Sequence, residues 1–149
     1  MTGTLSDEQV KNLLTSQVQG RLACTDGKKP YIVPVNYYYD GEFIYGQTNE
    51  GKKLRILRKN PNVCFEVGVM TDNKNWQSVL LYGKFEELGG KKATKAKESL
   101  YNSAFYLMSG SSIHPHEHEV SGKLDDSNRK KAFMYRINIK KITGRFEKF

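Results

Sequence analysis

Two lysines stand at the start of a short basic segment between two stretches that are typical of β-strands. Residues 52–59 read KKLRILRK after Gly51, and this mixture of apolar and basic residues predicts a short amphipathic helix. The first turn of a helix has backbone N–H groups without an intrahelical partner, and the helix dipole is positive there. With the charges of Lys52 and Lys53 added, this helix start is suited to binding a phosphate group. The same lysines would equally suit the solvated face of a surface helix, so both interpretations stay open.

A second group of residues that could bind a ligand is the series His114, His116 and His118. In an extended conformation, which Pro115 favours, the three imidazoles would share one side of the chain, where zinc, nickel or copper could bind. The surrounding residues 109–126 are rich in serine, glycine and histidine, which predicts a loop with nothing to orient such ligands. We therefore expect a solvated loop, or a lid that reaches the ligand cleft of a partner subunit, and predict no metal site.

Helix and strand signals follow one another in an order that predicts a single domain over residues 1–149. A capping box at residues 6–9 starts a helix over 6–18, and apolar spacing predicts another helix over 91–108. Asp-Gly pairs at 26–27 and 40–41 are typical of tight hairpin turns. The strand patterns cover residues 20–25, 30–39, 42–48, 63–70, 76–87, and 132–139 continuing as 142–146 with a bend near Lys141. This order predicts a mainly β (α+β) fold, a six-stranded antiparallel barrel with peripheral helices.

The composition narrows the class of protein. A net charge of +8 would attract polyanions, but the basic residues fall in three separate groups without a nucleic-acid-binding motif, so we expect no specific nucleic acid partner. The polar residues 1–7 and the hydrophilic composition predict no membrane span, no signal peptide and a cytoplasmic location. Cys24 and Cys64 lie far apart within apolar strand patterns, which predicts reduced, buried thiols.

Three segments together resemble the pyridoxamine 5′-phosphate oxidase-like, FMN-binding split-barrel superfamily, nearest to its nitroimidazole-resistance-type flavin proteins. They are residues 30–67, the sequence NWQSVLLYGKFEEL at 75–88 and the terminal ITGRFEKF at 142–149. The resemblance is specific in the order of the pieces. It implies a split barrel and a homodimer with FMN at the subunit interface.

The resemblance also implies which residues bind the cofactor. In that family the turn after the third strand and the basic helix start hold the flavin phosphate, which implicates Thr48, Lys52 and Lys53. One strand runs along the edge of the isoalloxazine ring, the next strand ends beside it, and the start of a later strand lies by the ring or phosphate. The corresponding residues here are Val33, Pro34, Val35, Asn36 and Tyr37; Tyr45, Gly46 and Gln47; and Trp76, Gln77 and Ser78.

Several of these residues have simpler interpretations that the sequence leaves open. Proline has no N–H, so Pro34 fits where a strand ladder is broken beside a ligand, or on an edge strand where it deters aggregation. Trp76 is also typical of a core or a dimer interface. Gln77 and Ser78 are equally suited to outward-facing positions of an alternating strand.

Two departures from the family pattern bear on the activity. Gln47 stands where the nitroimidazole-resistance proteins commonly have histidine, and glutamine cannot act as a general acid or base near neutral pH. The basic C-terminal substrate clamp of true pyridoxamine phosphate oxidases is not recognisable in KKITGRFEKF, which makes vitamin B6 oxidation a poor hypothesis.

The leading hypothesis is an FMN-dependent oxidoreductase that reduces a small electrophile such as a nitroaromatic, with electrons from NAD(P)H or another reductant. No residue stands out as an acid, base or nucleophile, so the catalytic residues are unknown. The alternatives are a non-enzymatic protein that binds or senses flavin or haem, and a basic nucleic-acid binder.

Overall fold

A computed structural model describes residues 1–108 and 132–149, without the side chains of residues 104–108. The described chain forms seven strands and three helices. In chain order they are β1 (Thr2–Thr4), α1 (Asp7–Ser16), β2 (Gln19–Thr25), β3 (Pro30–Tyr39), β4 (Phe43–Asn49), α2 (Lys52–Lys59), β5 (Asn62–Asp72), β6 (Asn75–Glu87), α3 (Gly90–Met108) and β7 (Ala132–Glu147).

Six of the strands form a closed antiparallel barrel. The strands pair in the order β7, β4, β3, β2, β5 and β6, and β6 pairs back with β7. Strand β1 lies outside this ring and pairs only with the end of β7, where Thr2 is opposite Glu147. The prediction of a mainly β fold with a six-stranded barrel and peripheral helices is confirmed, whereas β1 was not predicted.

The local signals account for the boundaries of most elements. The capping box of α1 is present, because the Ser6 hydroxyl accepts a hydrogen bond from the Gln9 amide while the Gln9 side chain accepts one from the Ser6 amide. Gly27 and Gly41 have φ angles of 95° and 99°, which only glycine adopts readily, so both predicted hairpin turns form. The predicted bend near Lys141 is a change of register in β7, opposite the Tyr82–Gly83 step of β6.

The core fills the barrel with side chains from alternate strand positions. Its largest fully buried members include Tyr37, Phe65 and Tyr135. Helices α1 and α2 add buried leucines to this core. The Tyr37 hydroxyl donates to the Leu14 carbonyl over 2.6 Å and so joins β3 to α1. On the outside, α3 packs through Ala96 and Leu100 near Met134 of β7 and thus lies over β3 and β4.

Candidate functional site

Strands β3 and β4 are paired along only part of their length, and the candidate site lies where they separate. The paired part has Tyr37 opposite Gly46, Tyr38 opposite Tyr45 and Tyr39 opposite Ile44. Before Tyr37, β3 continues to pair with β2, and after Gly46, β4 continues to pair with β7. The two facing edges, residues 33–36 and 47–49, therefore have no ladder between them. Such edges carry backbone groups that a ligand can satisfy.

The direction of these backbone groups follows from one hydrogen bond. The Tyr37 amide donates to the Val18 carbonyl on the β2 side, over 3.0 Å. Because the polar groups of neighbouring residues in a strand point to opposite sides, those of Pro34 and Asn36 point to the β4 side. Pro34 has no N–H, so it brings only a carbonyl to the open edge, while Asn36 brings both an N–H and a carbonyl. Pro34 therefore lies where the absence of a donor breaks no ladder.

Helix α2 begins three residues after β4 ends, at the open end of this cleft. Leu54, Ile56 and Leu57 are buried in the barrel core and anchor the helix. The first intrahelical hydrogen bond joins the Arg55 amide to the Gly51 carbonyl, so the preceding amides have no partner within the helix. No acidic residue lies in the first turn. The predicted helix over 52–59 is confirmed, and its positive end meets the cleft.

The cleft is a cavity of about 340 Å³, near the lower limit of the range typical of small-molecule sites. Both separated strand edges, the first turn of α2 and the underside of α3 contribute to its walls. The lining residues are Pro34, Val35, Asn36, Gln47, Thr48, Asn49, Lys53, Leu100 and Tyr101. Six of these nine were predicted from the resemblance: Pro34, Val35, Asn36, Gln47, Thr48 and Lys53.

The two lysines of the helix start do not share an environment. Lys53 lines the cavity and is half-buried, whereas Lys52 is exposed and lies with its Nζ 5.1 Å from the centre of the Tyr31 ring. Among the described ion pairs, none involves Lys53. Burial lowers the pKa of Lys53, and the nearby Cys24 opposes that shift. The described walls of the cavity thus hold one cationic side chain and no carboxylate, which favours an anionic ligand.

Two polar side chains of the cavity wall have fixed partners. The Tyr101 hydroxyl of α3 donates to Gln47 Oε1 over 3.0 Å. Thr48 is only 4% exposed and donates its hydroxyl to the Asn49 carbonyl over 3.1 Å. The glutamine in place of the family's histidine is therefore held by a helix that the site prediction did not include.

Four other predicted residues have side chains outside this cavity. Tyr37 is buried in the barrel, where burial raises the pKa of its phenol. Gly46 leaves room for the Tyr135 ring, because a Cβ there would lie 2.4 Å from the Tyr135 hydroxyl oxygen. Tyr45 packs beside Tyr38 under α3, and Val33 packs against the core.

The third predicted group, Trp76, Gln77 and Ser78, lies apart from the cleft. Trp76 and Gln77 line a different groove of about 760 Å³ beside α1, which shares no residue with the cleft. The Trp76 indole N–H donates to Glu147 Oε2 over 2.9 Å, and the Ser78 hydroxyl donates to Glu66 Oε2 over 2.8 Å. One chain therefore does not bring all the predicted cofactor residues together.

Three lining residues, Asn49, Leu100 and Tyr101, were not predicted. Asn49 extends the predicted 45–48 segment by one position, so the strand pattern carried a signal for it. Leu100 and Tyr101 come to the cavity only because α3 packs across β3 and β4, and the local sequence carries no signal for that contact. The histidines at 114, 116 and 118 lie outside the described residues. No described helix has the length and apolar character needed to cross a membrane.

The chain belongs to a known family. The family model described as pyridoxamine 5′-phosphate oxidase matches residues 6–146, so the chain is a member of that family, and the resemblance to the wider superfamily drawn from the sequence is confirmed. An uncharacterized protein of Rhizobium meliloti (strain 1021) is 32% identical over 84 residues, which are 56% of this chain and 56% of that relative. The matched region thus spans little more than half the length of the curated relative.

Solved structures show the same fold. The crystal structure of a FAD-binding protein from Mesorhizobium loti is 28% identical, with 99% of both chains covered and a TM-score of 0.74. A candidate 5-nitroimidazole antibiotic resistance protein from Bacteroides thetaiotaomicron is 17% identical, with 98% of this chain and 87% of that chain covered and a TM-score of 0.71. At 17% identity the second likeness concerns the fold alone.

Proposed function

We propose that this protein binds a flavin in the cleft between β3 and β4, and that the flavin is FMN. The observation that carries the proposal is that unpaired strand edges and the half-buried Lys53 meet at the positive end of α2. A flavin mononucleotide combines a dianionic phosphate with a planar ring whose edge alternates donors and acceptors. The residues present fit both parts, and the 28% identical FAD-binding protein supports a flavin.

Each part of the cleft would have one task. Lys53 and the first-turn amides of α2 would hold the phosphate, beside the buried Thr48. The Asn36 amide and the Pro34 and Asn36 carbonyls would meet the polar edge of the ring. When bound, the flavin supplies reversible acceptance of one or two electrons. The protein supplies position and electrostatic environment, and its described cavity walls contain no imidazole and no carboxylate for proton transfer.

We further propose that the working form is a homodimer. The outer face of the barrel carries an apolar row across four adjacent strands, formed by Ile32, Ala23, Cys64 and Tyr82. Ile32 is 64% exposed and Tyr82 is 47% exposed, so the row is open to a partner. A second copy of this chain would cover the row through a two-fold interface. In such an interface the β3 end of the face in one chain contacts the β6 end of the same face in the other chain.

That face connects the two separate groups of predicted residues. The row next to the apolar one runs from Pro34 through Arg21 and Glu66 to Leu80, between the cleft edge and the strand segment that holds Ser78. A two-fold contact would therefore place the Trp76–Ser78 segment of one subunit near the cleft of its partner. The small volume of the cleft in one chain fits a site that two chains complete.

The activity proposed for the bound flavin is reduction of a small electrophile such as a nitroaromatic, with NAD(P)H as a candidate electron donor. The cleft supports this proposal only through the cofactor it would hold, because its described walls contain no imidazole and no carboxylate to transfer a proton to a substrate. A specific observation favours a second candidate, a flavin-binding protein without turnover. Gln47 cannot transfer a proton near neutral pH, and its carboxamide is already engaged by Tyr101.

The binding proposal is tested by calorimetric titration of flavin-free protein with FMN, FAD and riboflavin. Because the phosphate is where the positive groups converge, FMN should bind at least about tenfold more tightly than riboflavin. The absorption spectrum of the protein as purified and the mass of the flavin released on denaturation identify the natural occupant. Equal affinity for FMN and riboflavin would remove the phosphate site from the proposal, and released FAD would replace FMN as the cofactor.

The two candidate functions are separated by stopped-flow reduction of the FMN-loaded protein. Reduction by NADH or NADPH followed by rapid reoxidation with a nitroaromatic supports the oxidoreductase. A flavin that neither nucleotide reduces supports the binding protein.

The dimer is tested by light scattering on the same sample, which should return a mass of two chains. A single-chain mass for the loaded protein would contradict the dimer.

A further inference from the structure

The contact between Tyr101 and Gln47 determines which hydrogen-bonding group the cavity offers at this point. Tyr101 lies on α3, and its hydroxyl donates to Gln47 Oε1 over 3.0 Å. Both residues line the cleft, and Leu100 beside Tyr101 is buried against Met134 of β7. The backbone of α3 is therefore held against the barrel, and the Tyr101 side chain, 53% exposed, reaches Gln47 on β4 from it.

A carboxamide has one end that accepts hydrogen bonds and one that donates them, so fixing one end also fixes the other. With Oε1 bonded to Tyr101, the Nε2 amide carries two donors, and no described partner occupies them. A glutamine without such a contact could rotate and present either end. The neighbouring Thr48 hydroxyl donates its proton to the Asn49 carbonyl, so it does not compete with Tyr101 as a donor to Gln47 Oε1.

We propose that Tyr101 is a positioning residue that orients Gln47 so that its N–H₂ group faces the cavity. The cleft would then select ligands that present a hydrogen-bond acceptor there, such as a carbonyl oxygen or an unprotonated ring nitrogen. With a flavin as the occupant, a fixed donor at the ring favours the reduced form, which carries more negative charge, over the oxidised form. This inference rests on the proposed flavin site for its ligand but not for the orientation itself.

The orientation is tested without a ligand by nuclear magnetic resonance of ¹⁵N-labelled protein. The Gln47 side-chain signals are assigned by their loss in Gln47→Met. In the wild type they should be dispersed and rigid, and in Tyr101→Phe they should move toward the positions of freely rotating amides. Tyr38→Phe removes a hydroxyl under the same helix that makes no described hydrogen bond to Gln47, and should leave the signals in place. Unchanged Gln47 signals in Tyr101→Phe would overturn the proposal.

The consequence is tested by FMN titration and by the midpoint potential of the bound flavin. Tyr101→Phe should weaken binding about threefold to tenfold and make the potential more negative, because the donor is no longer held in place. Gln47→Glu replaces the donor end with a second acceptor and should weaken binding at least about tenfold. Equal or tighter FMN binding by Gln47→Glu would mean that an acceptor faces the cavity, and would overturn the inference.

The two proposals fail in different ways. If the wild type binds no flavin, the proposed function fails, and the ligand-free spectra still decide whether Tyr101 orients Gln47. If the wild type binds FMN while Tyr101→Phe and Tyr38→Phe both match it in affinity and potential, the flavin site stands and the positioning role is rejected.

Discussion

The cleft at Lys53 and the groove at Trp76 differ in their unsatisfied polar groups, and this difference says more about ligand binding than their volumes do. The groove is the larger, at about 760 Å³ against about 340 Å³. Its tryptophan already has a hydrogen-bond partner within the chain, since the indole N–H is bonded to Glu147. The cleft instead has two unpaired strand edges and a half-buried lysine without a described ion pair. Unsatisfied polar groups, rather than volume, mark the place where a charged ligand gains the most.

The largest effect is expected from removing the anchor of α2, since the position of the helix distinguishes the cleft from the groove. Leu54 is fully buried, and Leu54→Ala should lower the free energy of unfolding by about 2–5 kcal/mol. It should also abolish tight FMN binding, because Lys53 is the next residue in the chain. Urea unfolding and FMN titration measure the two effects. The exposed neighbour Arg55, changed to alanine, should alter stability by less than about 0.5 kcal/mol.

The next effect separates the two lysines. Lys53→Ala should weaken FMN binding by about 1.5–3 kcal/mol, the cost of losing a charged hydrogen-bond partner. Lys52→Ala is the matched control, because Lys52 lies over Tyr31 and outside the cavity lining. It should cost less than about 1 kcal/mol. Equal losses for the two variants in calorimetry would show that the phosphate contacts the exposed side of the helix start.

The pH dependence of FMN binding follows from the burial of Lys53. Because burial lowers its pKa, Lys53 loses its proton at a lower pH than an exposed lysine. The charge that attracts the phosphate is present below the lowered pKa and disappears as the pH rises through it. As the pH is raised, the affinity for FMN should begin to decrease at a lower pH than that at which an exposed lysine titrates. The affinity for riboflavin, which has no phosphate, should not show this decrease. An FMN affinity independent of pH up to 10.5, the unshifted lysine value, would contradict this assignment.

The smallest effect tests whether the groove belongs to the flavin site of a partner subunit. Gln77 is exposed and makes no side-chain hydrogen bond within the described structure, unlike Trp76 and Ser78. Gln77→Ala should weaken FMN binding by about 0.5–1.5 kcal/mol if the dimer places it at the flavin. Ser78→Ala should mainly reduce stability, through its bond to Glu66. No change in affinity for Gln77→Ala would assign the groove to packing alone.

Much of the fold was predictable because its signals are local. The bounds of β3 and α2 match the predicted ones, since proline, glycine and the change of apolar period all lie at the ends of these elements. Strand β1 was not predicted, because Thr2–Thr4 is too short to show an alternation and forms only by pairing with β7. Its existence depends on the distant strand rather than on its own residues.

The site was predictable in part. The separated edges of β3 and β4 carry residues that the family pattern identifies, and Pro34 hinted at a broken ladder. The sequence predicted both Lys52 and Lys53, but adjacent residues on a helix point about 100° apart, and only Lys53 lines the cavity. Tyr101 had no local signal, because it reaches Gln47 only through the packing of α3.

Strand β7, which closes the barrel, also bears on how fast the protein folds. Strand β7 pairs with both β4 and β6, so the wall behind Gln47 is formed by residues far away in sequence, with Gln47 opposite Met134. Contacts of this kind require long chain segments to be ordered before they contribute stability, and barrels dominated by them fold in about milliseconds to seconds. During synthesis the hairpin of β3 and β4 emerges well before β7, so a nascent chain has the lysines and the proline but not yet a finished cleft.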